Sequence, residues 1–235
     1  MLRVSRQPGG QPEIFHSLQG EGPTIGTPAV FLRLAQCNLA CSWCDTKYTW
    51  DWQHYEYDKE VVSMDTAEVE ERILELGCRH LVITGGEPLL QQRELAPLVA
   101  SLKERGFYCE VETNGTIVPL PDLAEKIDQW NVSPKLATSG NSPERRELPS
   151  VLEVFRRLPN AYFKFVIVER ADIEEVCALR GRYDLPADRI ILMPEGRTAV
   201  AIQRRSPWVA QGCVENGFRF STRLHILLWG DQRGR

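Results

Sequence analysis

Three cysteines, Cys37, Cys41 and Cys44, lie close together in the sequence and are its strongest candidates for shared chemistry. Three thiolates from one loop can hold three corners of a 4Fe–4S cube and leave the fourth iron open to a substrate or cofactor, whereas ordinary electron carriers use four cysteines. In a reducing compartment such a cluster indicates metal or redox chemistry rather than disulfides. The spacing Cys-x3-Cys-x2-Cys therefore predicts an iron–sulfur site with one open position.

Zinc is the alternative metal for this loop, because it also binds cysteine, usually in a closed four-coordinate site. The fourth ligand would be His54 or His16, and neither has zinc-finger spacing. A zinc site would make the chain an interaction module rather than an enzyme. The other four cysteines are far apart in the sequence, and we expect them to be small apolar side chains: Cys78, Cys109, Cys177 and Cys213.

A second polar turn, Gly85-Gly86-Glu87-Pro88, follows the short apolar segment at residues 80–84. Its glycines allow close approach of the backbone and positive φ angles. The carbonyls and the carboxylate of this turn could accept hydrogen bonds from an amine. Glu87 has two interpretations, a carboxylate that faces a ligand or a structural carboxylate that fixes the turn.

Alternating strands and helices position both motifs. Strands are predicted at residues 28–35, 80–84, 107–112, 129–132, 161–168 and 190–193, and helices at 65–76, 91–105, 121–128, 144–158 (broken), 172–183 and 198–215. This alternation predicts an α/β fold with a parallel sheet. Six units are too few for a closed eight-fold barrel, which leaves an open partial barrel or a doubly wound sheet. In both, ligands bind at the carboxyl ends of the strands, where the cysteine loop and the glycine turn belong.

Composition sets limits on the class of protein. The 235 residues contain no Pro/Gly/Ser-rich linker, so we predict a single domain over residues 1–235. The net charge of −4 argues against nucleic-acid binding. No apolar run approaches the roughly 18 residues that a membrane span needs. The N-terminus lacks the apolar segment of a secretory signal, so we expect a cytoplasmic protein without a membrane partner.

Taken together, the cysteine motif with Trp43 before its last cysteine and the Gly-Gly-Glu-Pro turn resemble the radical S-adenosylmethionine (SAM) superfamily. The resemblance implies an open partial (βα)6-type TIM-like barrel with a mostly parallel sheet. It also implies a 4Fe–4S cluster on Cys37, Cys41 and Cys44, with SAM chelating the open iron through its amine and carboxylate. One electron from the cluster then cleaves SAM to methionine and a 5′-deoxyadenosyl radical. No catalytic side chain is assigned, because the cofactors carry the radical chemistry.

Flanking motifs narrow the resemblance to the 7-carboxy-7-deazaguanine synthases. They are residues 15–26 (FHSLQGEGPTIG) and residues 44–48 (CDTKY), and the similarity extends through residues 133–135, 192–196 and 223–230. This family of lyases converts 6-carboxy-5,6,7,8-tetrahydropterin to 7-carboxy-7-deazaguanine with loss of ammonia, in queuosine biosynthesis. A radical SAM activase, which installs a glycyl radical on a partner enzyme, is the alternative. The motif at residues 15–26 favours the lyase.

The resemblance assigns residues to the substrate and to Mg²⁺. It places five residues on the pterin: Leu18, Gln19, Gly20, Arg33 and Thr84. Arg33 would bind the substrate carboxylate, since a guanidinium binds carboxylates through two parallel hydrogen bonds. The alternatives are an ordinary loop for residues 18–20, a structural ion pair for Arg33 and simple strand filling for Thr84. Thr46 would bind Mg²⁺ through its hydroxyl, although without the family it would be a turn or cap residue and Asp45 the better ligand.

The remaining assignments concern SAM and the partners. The SAM contacts implied are Trp43, Cys44, Asp45, Gly86, Ser133, Pro134, Lys135, Met193, Pro194, Glu195 and Gly196. Lys135 has the alternative of a solvated charge at a strand end. A flavodoxin-like electron donor and a homodimer are also implied. Residues 112–114 and the tail at residues 230–235 receive no assignment.

Overall fold

A computed structural model describes all residues 1–235, and ten strands form one sheet in it. The strands are, in chain order, β1 (Leu2–Ser5), β2 (Ile14–Leu18), β3 (Pro28–Leu34), β4 (Val61–Met64), β5 (His80–Gly85), β6 (Tyr108–Thr113), β7 (Gln129–Val132), β8 (Ala161–Ile167), β9 (Ile190–Pro194) and β10 (Arg219–Phe220). None of the helices has the length and apolar character required to cross a bilayer.

The sheet is mostly parallel and open. Its strand order is β10–β9–β8–β7–β6–β5–β3–β1–β4, and every pair from β10 to β3 is parallel. Strand β1 is antiparallel to β3 and β4, and β2 is antiparallel to β3. The six predicted strands correspond to β3 and β5–β9, which confirms the predicted open, mostly parallel α/β fold.

Helices cover one face of the parallel strands. They are α1 (Tyr57–Glu60), α2 (Thr66–Glu75), α3 (Gln92–Glu104), α4 (Pro121–Ala124), α5 (Pro143–Arg146), α6 (Pro149–Arg157), α7 (Arg170–Tyr183), α8 (Ala199–Asn216) and α9 (Leu224–Trp229). The predicted break within residues 144–158 separates α5 from α6, whereas the helix predicted at 121–128 extends only to Ala124. The indole of Trp130 on β7 packs edge-on against Phe155 of α6, with ring centroids 5.4 Å apart. This contact joins a strand to a helix within a cluster of 38 buried apolar residues.

The opposite face of the same strands is polar. Because side chains alternate along a strand, Gln129 and Asn131 of β7 point away from the helices that Trp130 contacts. Asn131 Nδ2 donates to Glu112 Oε1 at 2.9 Å, and Gln129 Nε2 donates to Glu110 Oε2 at 3.0 Å. The inner face of the sheet therefore carries a buried polar network at β6 and β7.

Candidate active site

A cavity of about 470 Å³ opens at the carboxyl ends of the parallel strands. Its wall contains residues from β3, β5, β6, β8 and β9, the cysteine loop, the segment after β2 and the C-terminal tail. Most of the predicted site residues line it: Leu18, Gln19, Gly20, Arg33, Cys37, Cys41, Trp43, Cys44, Asp45, Thr46, Thr84, Gly86, Ser133, Lys135, Met193 and Glu195. The other three, Pro134, Pro194 and Gly196, do not.

The three cysteines line this cavity as free thiols. Burial raises the pKa of the Cys37 thiol to about 12, so this thiol stays neutral until a metal displaces its proton. The chain contains no group of three His, Cys, Asp or Glu side chains placed to hold a single metal ion. His54 Nδ1 instead lies 2.9 Å from Asp51 Oδ2, and neither His54 nor His16 lines the cavity. Neither histidine therefore joins the three thiols, as a closed zinc site with a histidine ligand would require.

The glycine turn packs directly on the start of the cysteine loop. A Cβ atom on Gly85 would lie 2.1 Å from the carbonyl oxygen of Leu34, and one on Gly86 would lie 2.1 Å from that of Gln36. Real Cβ atoms do not approach backbone oxygens so closely, and Gly85 also has a φ of +145°. Only glycine fits at these two positions, so the turn and the cysteine loop are held in a fixed arrangement.

Glu87 is fully buried, and its carboxylate makes hydrogen bonds inside the protein. Its carboxylate accepts hydrogen bonds from the backbone N–H of Leu89 at 3.0 Å, the Thr113 hydroxyl at 2.8 Å and the backbone N–H of Asn114 at 2.7 Å. Burial raises the pKa of this carboxyl group, and the three donors oppose the shift. These contacts support the structural interpretation of Glu87, which ties the turn to the end of β6.

A buried carboxylate, that of Glu13, fixes the Arg33 side chain. Its Nε donates to Glu13 Oε1 at 2.8 Å, and the Tyr48 hydroxyl donates to the same oxygen at 3.0 Å. The Glu13 side chain is completely buried, whereas that of Arg33 is 19% exposed and reaches the cavity wall. The ion pair thus uses the Nε side of the guanidinium and leaves its two Nη groups for a ligand.

The segment after β2 enters the polar interior of the barrel. The side-chain amide of Gln19 donates to Glu110 in a short hydrogen bond and to Glu112 Oε1 at 3.4 Å. A Cβ atom on Gly20 would lie 2.1 Å from His225 Nδ1 of α9, so glycine is needed for the close packing of these segments. Since the Gln19 amide is already bonded within the protein, a ligand would meet this segment mainly through its backbone.

An ionic network that the sequence analysis did not find crosses the floor of the cavity. Lys164 Nζ lies 2.6 Å from Glu21 Oε2 and 2.7 Å from Glu112 Oε2. Arg223 Nε donates to Glu21 Oε1 at 3.1 Å, and its Nη2 pairs with Asp45. Burial alone would raise the pKa of Glu21, but the positive charges of Lys164 and Arg223 outweigh it and hold the pKa well below its usual range.

The predicted SAM side of the cavity combines aromatic and polar groups. Lys135 Nζ lies 5.5 Å from the centroid of the Trp43 ring and donates to Ser133 Oγ at 2.9 Å. Trp43 Nε1 is buried without a hydrogen-bond partner, which suits a ligand that brings an acceptor. Gly196 lies outside the cavity wall, and its carbonyl accepts from Arg223 Nη1 at 2.7 Å.

Thr46 and Asp45 differ in how much of each side chain is free. The Asp45 carboxylate pairs with Arg223. The Thr46 hydroxyl makes no capping hydrogen bond to the short 3₁₀ helix Lys47–Thr49 and lies 3.6 Å from Cys44 Sγ. Thr46 therefore has no ion-pair partner, and its hydroxyl makes only a weak contact with a sulfur atom.

The C-terminal tail completes the cavity wall, in a position that the sequence analysis left open. Residues 231–235 all line the cavity. The Arg233 guanidinium lies over the Tyr48 ring, 3.1 Å from its centroid, and Nη2 is 2.6 Å from Glu60 Oε2. Arg197 Nη2 lies 2.5 Å from Asp231 Oδ2. These contacts bring the tail over the Tyr48 and Glu13 side of the site.

Known proteins resemble this chain over nearly its whole length. The Radical SAM superfamily matches residues 33–194. The 7-carboxy-7-deazaguanine synthase of Pyrobaculum aerophilum is 39% identical over 225 residues, covering 95% of this chain and 96% of that protein. The synthase of Halobacterium salinarum is 35% identical and covers 93% and 90%. The crystal structure of QueE from Escherichia coli superposes with a TM-score of 0.67 at 30% identity and covers 95% of each chain.

Proposed function

Because this chain belongs to the radical SAM superfamily and, within it, to the 7-carboxy-7-deazaguanine synthase family, we propose that it converts 6-carboxy-5,6,7,8-tetrahydropterin to 7-carboxy-7-deazaguanine with loss of ammonia. One observation carries the proposal: Cys37, Cys41 and Cys44, the glycine turn and the Arg33 guanidinium line the same cavity. That cavity lies in the size range of small-molecule sites, about 300–1,000 Å³.

The residues on the cluster side fit the family's cofactors. Cys37, Cys41 and Cys44 would hold a 4Fe–4S cluster, which together with SAM supplies the 5′-deoxyadenosyl radical. Gly86 lines the cavity beside the cysteine loop and would contact SAM through its backbone, and Trp43 offers a buried N–H without a partner. Ser133, Lys135, Met193 and Glu195 provide polar and apolar groups on the same wall. Pro134, Pro194 and Gly196 would act by shaping the adjoining turns.

The substrate side offers complementary groups at two ends. The free Nη groups of Arg33 suit the substrate carboxylate, which a guanidinium binds through two parallel hydrogen bonds. Leu18 and Gly20 would contact the pterin ring through backbone groups, and Thr84 would contact it from the end of β5. The floor of Glu21, Glu112 and Lys164 offers acceptors and a donor to the polar edge of a pterin. The pterin ring would thus lie between Arg33 at one end and the charged groups of Glu21, Glu112 and Lys164 at the other.

Mg²⁺ would bind at the Thr46 hydroxyl, with water and substrate oxygens completing its shell, since this ion keeps few protein ligands. The neighbouring Asp45 is held by Arg223, which supports Thr46 as the protein ligand. A titration of product formation against Mg²⁺ tests this assignment.

The family and the chain also suggest a domain organisation, a compartment, an electron donor and an oligomeric state. Residues 1–235 would act as a single domain, with the N-terminal strands and the C-terminal tail packed on one core. Seven free cysteines suit a reducing compartment such as the cytoplasm. A flavodoxin-like protein would donate the electron, and the enzyme would be a homodimer, which light scattering at several concentrations tests.

The decisive experiment is anaerobic turnover. The cluster-loaded protein is incubated with SAM, dithionite and 6-carboxy-5,6,7,8-tetrahydropterin, and the product is identified by mass spectrometry. We expect 7-carboxy-7-deazaguanine and no product from the Cys44→Ala variant. SAM cleavage without any change in the pterin would contradict the substrate. A colourless protein that contains zinc instead of iron and sulfide would contradict the whole proposal.

A further inference from the structure

Each of the three cluster cysteines receives an N–H group from the protein. The backbone N–H of Leu39 donates to Cys37 Sγ at 3.4 Å. Asn141 Nδ2 donates to Cys41 Sγ at 3.3 Å, and Trp50 Nε1 donates to Cys44 Sγ at 3.3 Å. Two longer contacts add to these: Asn114 Nδ2 lies 3.9 Å from Cys37 Sγ, and the Thr46 hydroxyl lies 3.6 Å from Cys44 Sγ. The two short side-chain donors, Asn141 and Trp50, come from outside the Cys37–Cys44 segment, so they are not a consequence of the loop turning on itself.

Both side chains are fixed by further contacts. Asn141 is buried; its Oδ1 accepts from the backbone N–H of Ala40 at 3.0 Å, and its Nδ2 also lies 3.2 Å from Ser139 Oγ. This arrangement defines which end of the amide carries the N–H groups and directs them at the sulfur. Trp50 follows the 3₁₀ helix Lys47–Thr49 and lines the cavity, where its indole N–H reaches Cys44.

We propose that Trp50 and Asn141 are positioning residues that set the reduction potential of the iron–sulfur cluster by donating hydrogen bonds to two of its three cysteine sulfurs. Reduction adds one electron, from an external one-electron donor, to the cluster and its thiolate ligands. Hydrogen bonds to a charged acceptor strengthen as its negative charge grows. N–H donors therefore stabilise the reduced cluster more than the oxidised one, and hydrogen bonds to the sulfurs are among the factors that set such potentials.

The direction of the effect follows from the same argument. Removing either N–H group should make the cluster harder to reduce, which lowers its midpoint potential. We expect a shift of up to about tenfold in the reduction equilibrium for each lost donor, which is about 59 mV for a one-electron couple. The two donors bind different sulfurs, so the double variant should shift by about the sum of the two single shifts.

The test is a redox titration followed by electron paramagnetic resonance on reconstituted Trp50→Phe and Asn141→Asp proteins. Trp50→Phe keeps an aromatic ring and loses the N–H. Asn141→Asp keeps the shape and the acceptor for Ala40, but replaces the N–H donor with a carboxylate oxygen. Its added negative charge also lowers the potential, so the size of the shift is taken from Trp50→Phe. Iron and sulfide contents are measured alongside to show that the cluster is complete. Trp52→Phe is the matched control, because Trp52 packs against Tyr57 with ring centroids 5.0 Å apart and does not line the cavity.

Lower midpoint potentials in both variants, with Trp52→Phe unchanged, would support the proposal. An unchanged or raised potential in cluster-replete Trp50→Phe would overturn it, as would an equal shift in the control. Should Asn141→Asp assemble no cluster, Trp50→Phe alone decides the question. The inference rests on the cluster part of the proposed function. It does not depend on the substrate, because the potential is measured without pterin, so failure of the pterin assay leaves this test intact.

Discussion

The substitution Arg33→Lys tests the substrate side of the cavity most directly. Arg33 uses Nε for Glu13, which leaves the Nη groups for the substrate carboxylate that the proposed function assigns to it. Lysine keeps the positive charge beside the buried Glu13 but offers one ammonium group in place of the planar fork. We therefore expect weaker binding of the pterin, while the cysteine loop and the glycine turn stay as they are.

The magnitude follows from the hydrogen bonds lost. A hydrogen bond to a charged group contributes about 1.5–3 kcal/mol, and the lysine variant keeps about one of two such bonds to the carboxylate. Since about 1.4 kcal/mol corresponds to a factor of ten, KM for the pterin should rise by about 10- to 100-fold. The Arg33→Ala variant is less informative, because it would strand the fully buried carboxylate of Glu13, and a broken buried pair costs about 3–5 kcal/mol.

The assay measures initial rates of product formation against pterin concentration, with SAM saturating, together with SAM affinity and the cluster absorbance. We expect a raised KM with SAM binding and absorbance unchanged. Glu13→Gln is the companion variant: it keeps the size of Glu13 but removes its charge and loosens the orientation of Arg33, so it should raise KM by a smaller factor. Loss of SAM binding in step with pterin binding would show that Arg33 serves the fold or the cofactor, and the reasoning would be refuted.

Three further groups of residues probe the rest of the site. Alanine at Cys37, Cys41 or Cys44 should abolish the cluster absorbance and SAM cleavage, and an equal loss from any other single cysteine would refute the three-ligand assignment. The control positions are Cys78, Cys109, Cys177 and Cys213. Thr46→Ala should leave the cluster intact but flatten the stimulation of turnover by Mg²⁺; coinciding Mg²⁺ curves for variant and wild type would show that Thr46 is only a loop residue. Glu87→Gln removes one acceptor of a buried group, so unfolding should become easier by about 1–3 kcal/mol, and an unchanged Tm would contradict the structural role.

Local patterns account for the parts of the structure that the sequence predicts well. Strands β5 and β8 are short apolar runs, and both motifs lie in the loops that follow β3 and β5. In a parallel sheet the carboxyl ends of all strands meet at one edge, so the positions of the two motifs were predictable from strand order alone. The helix start at Asp65 was also predictable, since the capping box with Glu68 depends on residues only three apart.

The elements that sequence analysis missed depend on distant partners. Strands β1 and β4 are four residues each, and they pair with each other although Leu2–Ser5 and Val61–Met64 are far apart in the chain. Strand β10 has only two residues, both exposed. Runs this short carry no periodicity of their own, and they become strands only because an existing edge supplies hydrogen-bond partners. The helix α7 begins at Arg170, before the predicted residue 172, because Glu169 and Asp172 form its capping box.

The same limit applies to the active site, and it explains why the floor of the cavity escaped prediction. The Lys164–Glu21 pair joins residues 143 positions apart, and the Arg223–Glu21 hydrogen bond joins residues 202 positions apart. Each of these residues, taken alone in the sequence, has the ordinary interpretation of a solvated charge. The structure largely buries these side chains, and a charged group removed from water must be paired with an opposite charge. Arg223 thereby connects Glu21 after β2, Asp45 after the cysteine loop and the Gly196 carbonyl after β9. One guanidinium thus joins three segments of the cavity wall, and no local motif in the sequence identifies it.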